Sequence, residues 1–433
     1  MAGAEGTGRP RVIVVGGGFG GLQCARALAN QPLDLLLLDR HNYHLFTPLL
    51  YQVASSLLNP SEISFPLRRT LRAENLRVRM AEVTRLDLAA RRVHAADGHA
   101  FDYDWLVLAT GAVTNFFGIE SVERAALGLK NLPDALALRN HVLSCFEAAL
   151  LEDDPEDRRT WQTFLVVGGG PTGVEYSGAL SELFRLVLPR DYPDLDVRGS
   201  RVVLVEALDR LLADFPAELG RYTRRALERK GVEVRLGTRV TGVEGETDVR
   251  LADGSAIGAR TLIWAAGVQA RAPAADPPLP LTAGGRVDVD ENLLVRGQTR
   301  VFAIGDVAGV RWEGESLAMM APPAMQEGRH VAAQIRRATE GRPLEPFRFH
   351  DKGVMATIGR SAGVAALGKL RLKGFIGWIA WLAIHLYYLI GFRNRLIVLS
   401  RWTYNYFRLD RPIRLITRSG AAKIRSTSSS SSP

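Results

Sequence analysis

The residues from Arg11 to Gly21 read RVIVVGGGFGG, and this stretch restricts the chain more than any other. The unbroken apolar row Val12–Val15 predicts a buried parallel strand. A glycine-rich turn follows, then Leu22–Leu28 at helical spacing. Gly16, Gly18 and Gly21 fit G-x-G-x-x-G. The first glycine permits the tight turn, the second lets a pyrophosphate approach the backbone, and the third lets helix and strand pack closely. The helix start then faces an anion with free N–H groups and the positive end of its dipole. A second apolar run, Leu33–Leu38, ends at Asp39, where a ribose-binding carboxylate belongs. The expected unit is strand, turn, helix, strand, holding a dinucleotide.

The chain contains this unit twice. The second copy begins with Thr163–Val167 and the loop Gly168–Gly173, and its next strand, Arg201–Val205, ends at Glu206. Each copy later carries Ala-Asp-Gly, a short apolar strand and a closing glycine: Gly98 then Gly111, Gly254 then Gly267, thirteen positions apart in both. The runs Leu76–Leu86 and Val232–Val243 alternate and predict small antiparallel meanders. The fold class is therefore α/β, with two nested Rossmann-like dinucleotide-binding domains and a C-terminal helical membrane-surface module. Residues 1–130 form the first part of one domain and 276–340 its return. Residues 131–160 are a connecting helix and linker, 161–275 the second domain, and 341–433 the C-terminal region with a disordered Ser-rich tail at 427–433. A strand at Val301–Ile304 ends at Gly305–Asp306, and Pro322–Pro323 introduces a helix through about Ala338.

The net charge is +9, but residues 336–433 carry 18 Lys and Arg against 4 Asp and Glu. The basic character therefore belongs to the tail end, whose partner is a nucleic acid or an anionic membrane. Gly374–Phe392 has nineteen residues without Asp, Glu, Lys or Arg. As a helix this is about 28 Å, just enough to span a bilayer. Arg393–Leu409 is amphipathic, with Asn394, Arg401, Asn405 and Arg408 on one face and Leu396, Leu399, Tyr406 and Phe407 on the other. A buried core helix or dimer interface, a single span, and in-plane interfacial helices all remain open. The basic amphipathic neighbour fits the in-plane arrangement best, and its aromatic company argues against nucleic acid. The chain has two cysteines, Cys24 and Cys145, and no disulfide framework, C-x-x-C or metal-ligand spacing. The polar start, Met1–Pro10, has no signal-peptide h-region.

At the level of whole motifs the chain resembles the type II NADH dehydrogenases, single-subunit NADH:quinone oxidoreductases of the two-dinucleotide-binding-domain flavoprotein superfamily. The resemblance covers roughly Arg11 to Ile416 and rests on the two glycine loops, Asp39–Phe46, Pro48–Ala54, Ala109–Gly111, Ala303–Asp306, Met355–Arg360 and His385–Arg395. It implies FAD in the first unit, at Gly16, Gly18, Phe19, Gly20, Gly21, Asp39, Arg40, Val83, Thr110 and Gly111; no His, Cys or Tyr of that unit sits in an attachment motif, so non-covalent binding is expected. Asp306 faces the ribityl chain (a helix N-cap is the plainer reading), and Asn42, Thr47, Pro48 and Ala324 approach the flavin ring. It implies NADH as substrate in the second unit, at Gly168, Gly170, Thr172, Gly173, Glu206 and Gly267.

Glu175 resembles the family's carboxylate near the flavin–nicotinamide contact, able to pass protons if its pKa is raised. The plainer reading is a first-turn Glu favoured by the helix dipole. Gln326 and Glu327 belong to the quinone side. Here the chain departs from the family's A-Q-x-A-x-Q-Q, reading Ala321–Pro322–Pro323–Ala324–Met325–Gln326–Glu327.

The implied partners are NADH, a membrane quinone and the lipid bilayer surface at the cytoplasmic face, with a peripheral, monotopic attachment and no nucleic acid or metal. The oligomeric state, a homodimer included, stays open. No ladder of intramembrane ionisable residues is present, which argues against proton pumping. The alternatives are a pyridine-nucleotide-disulfide or sulfide:quinone reductase, both of which need paired redox cysteines, and a membrane-bound flavoprotein that senses NADH without turnover.

Overall fold

The computed structural model describes residues 8–411 and 413–417; the predicted Ser-rich tail and residues 1–7 of the polar start lie outside them. The chain forms two compact units. One comprises Met1–Phe46, Ser64–Asn115 and Gly267–Gly353, the other Thr47–Ile63, Phe116–Ala266 and Val354–Pro433.

The first unit is built on a five-stranded parallel sheet, in the order Val301–Ala303, Trp105–Leu108, Arg11–Val15, Asp34–Asp39, Leu76–Met80. Val12–Val15 are buried, as an apolar row covered on both faces must be. The helix Phe19–Leu28 lies against the return helix Ala321–Thr339 at backbone contact. A Cβ on Gly328 would stand 2.2 Å from the Gly20 carbonyl oxygen. Beside this core, Val83–Asp87, Arg92–Ala95 and Ala100–Asp102 form an antiparallel meander, extended in parallel by Ala274–Asp276.

The second unit repeats the plan. Its parallel sheet runs Leu127–Gly128, Thr261–Trp264, Thr163–Val167, Arg201–Val205, Val232–Arg235, and its meander is Val240–Glu244, Asp248–Leu251 and Ala256–Gly258. The apolar side of the meander (Val249, Leu251, Ile257) packs with Leu165, Val203 and Leu262 of the sheet. The expected meanders need one correction, and it is the same in both units. Leu76–Met80 and Val232–Arg235 are not their first strands but the outer parallel strands of the main sheets. Both strands are short, and short alternating runs do not declare whether a partner runs parallel or antiparallel. The acidic stretch Glu152–Asp157, expected as a linker, instead starts a helix. The Asp154 side chain accepts from the N–H groups of Glu156 and Asp157 and caps Pro155–Trp161.

The second unit closes with an antiparallel sheet (Val354–Thr357, Gly363–Leu367, Leu370–Lys373) and two helices, Gly374–Tyr388 and Phe392–Arg408. The nineteen-residue apolar run is therefore not one helix. It stops at Tyr388, and the chain turns through Gly391 at φ 81°. No helix among the described residues is long and apolar enough to cross a membrane. The first of these helices buries Gly377 and Trp381 and exposes Phe375, Ile376, Ile379 and Tyr387.

The second C-terminal helix buries Val398 and Trp402 and leaves Arg393 and Arg408 exposed. Two of its polar residues turn toward the protein: Arg401 Nε donates to Glu62 Oε1 at 2.8 Å, and Asn394 Nδ2 to the Ser61 carbonyl at 3.1 Å. Its apolar residues Phe392, Leu396, Leu399 and Phe407 turn outward, Phe407 being 75% exposed. Tyr406, assigned by spacing to the outward apolar face, instead stacks on Trp378 at 5.4 Å and lies under the Arg360 guanidinium.

Candidate active site

The two glycine loops agree to within tenths of an ångström in their hydrogen bonds. Gly16 N–H donates to the Leu38 carbonyl at 2.7 Å and Gly168 N–H to the Val205 carbonyl at 2.8 Å. Both first glycines have positive φ, 109° and 112°, and a Cβ on either would collide with the backbone at Ala109 or Ala265. At the third glycine of the motif, a Cβ on Gly21 or Gly173 would stand 1.8 or 1.9 Å from the carbonyl oxygen of Gly16 or Gly168. The second glycine differs from both: around Gly18 and Gly170 a Cβ would meet nothing within 4 Å. Both loop helices start there without a side-chain cap. An open concavity at an uncapped helix start fits a pyrophosphate.

Each loop is closed by its own carboxylate. Asp39 Oδ2 accepts from Gly17 N–H and Oδ1 from His41 N–H, both at 2.6 Å. Glu206 Oε2 accepts from Gly169 N–H at 2.5 Å and Oε1 from Leu208 N–H at 2.8 Å. The carboxylates are fixed at the ends of their strands by these backbone contacts. Arg210, close to Glu206 in sequence, is held by the Ala213 carbonyl at 2.8 Å.

Within the first unit the structure brings together many of the expected cofactor residues. A Cβ on Gly20 would lie 3.1 Å from the Ala324 carbonyl oxygen, and one on Gly305 would lie 3.4 Å from Ala324 Cβ. Phe19 packs edge-on against His44 and Phe46. Thr110 Oγ1 donates to the Arg271 carbonyl at 2.5 Å, and Gly111 has open space around it. Asp306 lies in the 3-10 turn Gly305–Val307 that follows Val301–Ala303. Arg40 and Asn42 are exposed, and Val83 opens the meander opposite Ala95. Gly267 has φ 155° and accepts from Asn115 N–H. Thr47, Pro48 and the exposed Thr172 belong to the second unit.

Glu327 is 1% exposed and accepts from Gly305 N–H at 2.5 Å. Burial pushes its carboxyl up to about 7; the Gly305 N–H and the Arg286 guanidinium pull it down, and Asp306 adds to the rise. Its neighbour Gln326 uses its amide on the main chain, donating to the Pro322 and His350 carbonyls and accepting from His350 N–H at 3.0 Å.

In the second unit Glu175 points away from solvent, not outward as a dipole-favoured first-turn Glu would. It is 7% exposed, and its Oε1 accepts from Thr357 N–H at 3.1 Å and from the Trp381 indole N–H at 3.0 Å. Burial pushes the carboxyl up to about 8, outweighing both donors. Close approach makes this possible. A Cβ on Gly178 would stand 2.9 Å from the Ile358 carbonyl oxygen, so the loop helix touches the strand end that supplies Thr357. Sequence reasoning counts Trp381 among the membrane-interface rings of the apolar run; it is 1% exposed and instead meets Glu175, 206 positions away, a link no local pattern shows. Sequence reasoning missed His44, whose Nδ1 lies 2.9 Å from the Gly17 carbonyl oxygen and whose burial holds it neutral, down to about 4.

Cys24 and Cys145 are free and buried, and burial pushes both thiols up to about 12. Neither has the low-pKa, accessible character of a redox thiol.

Two carboxylate-closed glycine loops on twin parallel sheets define a protein of the pyridine-nucleotide oxidoreductase class. The family described as pyridine nucleotide-disulphide oxidoreductase matches residues 10–328. The type II NADH:quinone oxidoreductase Ndh of Mycobacterium tuberculosis is 38% identical over 417 residues, 93% of this chain and 89% of its own. A type II NADH:quinone oxidoreductase of Staphylococcus aureus is 30% identical over 84% of this chain and 92% of its own. The NDH2 structure from Plasmodium falciparum in complex with NADH shares the fold, with a TM-score of 0.86 at 20% identity, over 95% of this chain and all of that one. Within that class, the chain belongs to the type II NADH:quinone oxidoreductases.

Proposed function

We propose that this enzyme oxidises NADH and passes two electrons through a non-covalently bound FAD to a membrane quinone, without pumping protons. The observation that carries the reading is the duplication of the loops, which gives the chain two dinucleotide sites of one design. FAD, when bound, supplies the acceptor for hydride from NADH and the donor of two electrons to quinone. The residues of the chain bind, orient and move protons. In the first unit Asp39 and the open side of Gly18 hold the ribose and pyrophosphate of FAD, and Asp306 its ribityl chain. In the second, Glu206 and Gly170 do the same for NADH. Glu175 is the proton-handling carboxyl beside the nicotinamide, supported by its burial and its pKa of about 8. Gln326 and Glu327 serve the quinone side, supported by the Glu327 carboxyl that sits near 7 beside Asp306.

The second unit attaches to the cytoplasmic face of the membrane through its two C-terminal helices. The exposed apolar residues of these helices, Ile376, Ile379, Phe392 and Phe407 among them, with the exposed basic Arg393 and Arg408 beside them, support this reading. Quinone-dependent NADH oxidation by the purified protein tests the activity, and its absence from a flavin-loaded preparation returns the chain to the NADH-sensing reading. Acid denaturation releases yellow flavin into the supernatant; flavin retained in the precipitate rules out non-covalent binding. Gln326→Ala slows quinone reduction and leaves anaerobic flavin reduction by NADH nearly intact. Equal losses in both half-reactions assign Gln326 to folding through its ties to His350.

A further inference from the structure

The Glu175 carboxyl is held by a residue from the C-terminal end of the chain. Trp381 is 1% exposed and is held on several sides. His385 stacks on it at 4.0 Å, Tyr51 meets it edge-on at 6.2 Å, and Trp402 lies 6.0 Å away. Trp402 is itself fixed by donating its indole N–H to Gln52 Oε1 at 2.8 Å. One turn before Trp381, a Cβ on Gly377 would stand 2.5 Å from the Gly363 carbonyl oxygen, so the helix sits at backbone contact with the sheet beneath. Gly377 and Trp381 mark the inner face of Gly374–Tyr388, and Ile376, Ile379 and Tyr387 mark the outer. The helix cannot shift at its outer face without moving the indole.

We infer that Trp381 is a positioning residue for the reaction: its indole N–H, delivered by a helix whose other face is apolar and exposed, holds the Glu175 carboxyl in place, so that seating of this helix and readiness of the NADH site are coupled. The inference rests on the role of Glu175 proposed above. The titratable and charged groups around Glu175 are few. Tyr51 faces it from Leu50–Ala54, and its phenol is pushed well up by burial and by the Glu175 charge. From Gly374–Tyr388 comes His385, which burial lowers to about 4 and so keeps neutral. Thr357 from Val354–Thr357 contributes only its N–H. Further off, Glu182 and Arg411 act on Tyr51 and pair with each other at 3.4 Å. The indole N–H favours the carboxylate, so its loss raises the pH at which Glu175 gives up its proton.

The test is the pH profile of NADH:quinone turnover by the FAD-loaded enzyme. The expected wild-type profile has an inflection near 8, which Glu175→Gln removes. Trp381→Phe moves that inflection upward by about 1 pH unit, the scale of one hydrogen bond to a charged group. So does benzothienylalanine at position 381, which keeps the bicyclic shape without the N–H and covers the case in which the smaller ring misfolds. The double variant Glu175→Gln/Trp381→Phe then shows the same profile as Glu175→Gln alone. A rate that falls equally at every pH, with the inflection unmoved in both position-381 variants, makes Trp381 a packing residue and overturns the inference. A Glu175→Gln profile identical to wild type overturns the role of Glu175 itself, and the coupling with it.

Discussion

Glu175 and Glu206 sit on the same unit, one at the second glycine loop and one closing it, in different surroundings. Glu175 is raised from the ordinary 4.5 to about 8, so between those values the folded chain binds more protons than the unfolded one. Stability contributed at this position therefore falls as pH rises from 4.5 to 8 and levels above it. Glu175→Gln removes the dependence. The melting temperature of the variant relative to wild type climbs across that window, and a difference flat from pH 5 to 9 shows that the carboxyl is not buried neutral. Glu206 keeps both oxygens on backbone N–H groups of the second glycine loop and of Leu208. In its proposed role it accepts from a 2′-hydroxyl and repels a 2′-phosphate, an effect on the order of 2–4 kcal/mol, or roughly 30- to 1000-fold in favour of NADH. Arg210 is engaged with Ala213, so NADPH gains little there. Glu206→Gln narrows the gap in kcat/KM, while equal efficiencies in the wild type dispose of the argument.

At the scale of elements, the C-terminal helices are fastened to the segment Thr47–Ile63 by individual polar contacts. Arg401 with Glu62 is the one most open to testing. The Glu62 side chain is 6% exposed and that of Arg401 32%, and Glu62 also accepts from Asn59 N–H at 2.8 Å. Arg401→Leu leaves a buried carboxylate short of its partner and costs about 1–3 kcal/mol. The loss is local to Phe392–Arg408, so limited proteolysis cuts that helix sooner while the glycine loops keep their nucleotides. Unchanged cleavage kinetics mean that Trp402 and Gln52 hold the helix without the ion pair. Gly178 plays a corresponding role at the loop helix. Gly178→Ala drives a Cβ onto the Ile358 carbonyl, at a cost of about 1–3 kcal/mol.

The whole molecule has no membrane-crossing helix among its described residues, so the membrane attachment proposed for it rests on its surface. The two outward faces supply that surface and leave the core intact. Ile376, Ile379, Phe392 and Phe407 are exposed, whereas Trp381, Leu389, Val398 and Trp402 are buried, so truncation at Gly374 would strip the cover from Glu175 and Gln52. Four serines at the exposed positions are the cleaner experiment. Each loses up to about 1.5–3 kcal/mol of apolar burial in lipid, so vesicle binding falls by at least 100-fold while thermal stability holds. Wild type that never bound vesicles would remove membrane attachment through this face. High salt weakens only the contribution of the basic residues, and detergent is needed for full release.

Both glycine loops, their closing carboxylates and the repeat of the whole plan were legible in the sequence, because strand, turn and helix are written in consecutive residues. The amphipathic pattern of Phe392–Arg408 was equally plain. Which side faced the protein was not, since periodicity defines two faces without saying which is covered. Tertiary packing alone sent Arg401 to Glu62 and the phenylalanines outward. It also moved Leu76–Met80 and Val232–Arg235 from the meanders into the parallel sheets, because pairing partners lie outside any local window. The same holds at the candidate site. A Glu two residues past a glycine loop has no fixed character until Thr357 and Trp381 arrive from 182 and 206 positions away to bury it. Local residue order determined the dinucleotide-binding scaffold. The protonation of Glu175 and the outward apolar face were decided by contacts between distant segments, where desolvation takes effect.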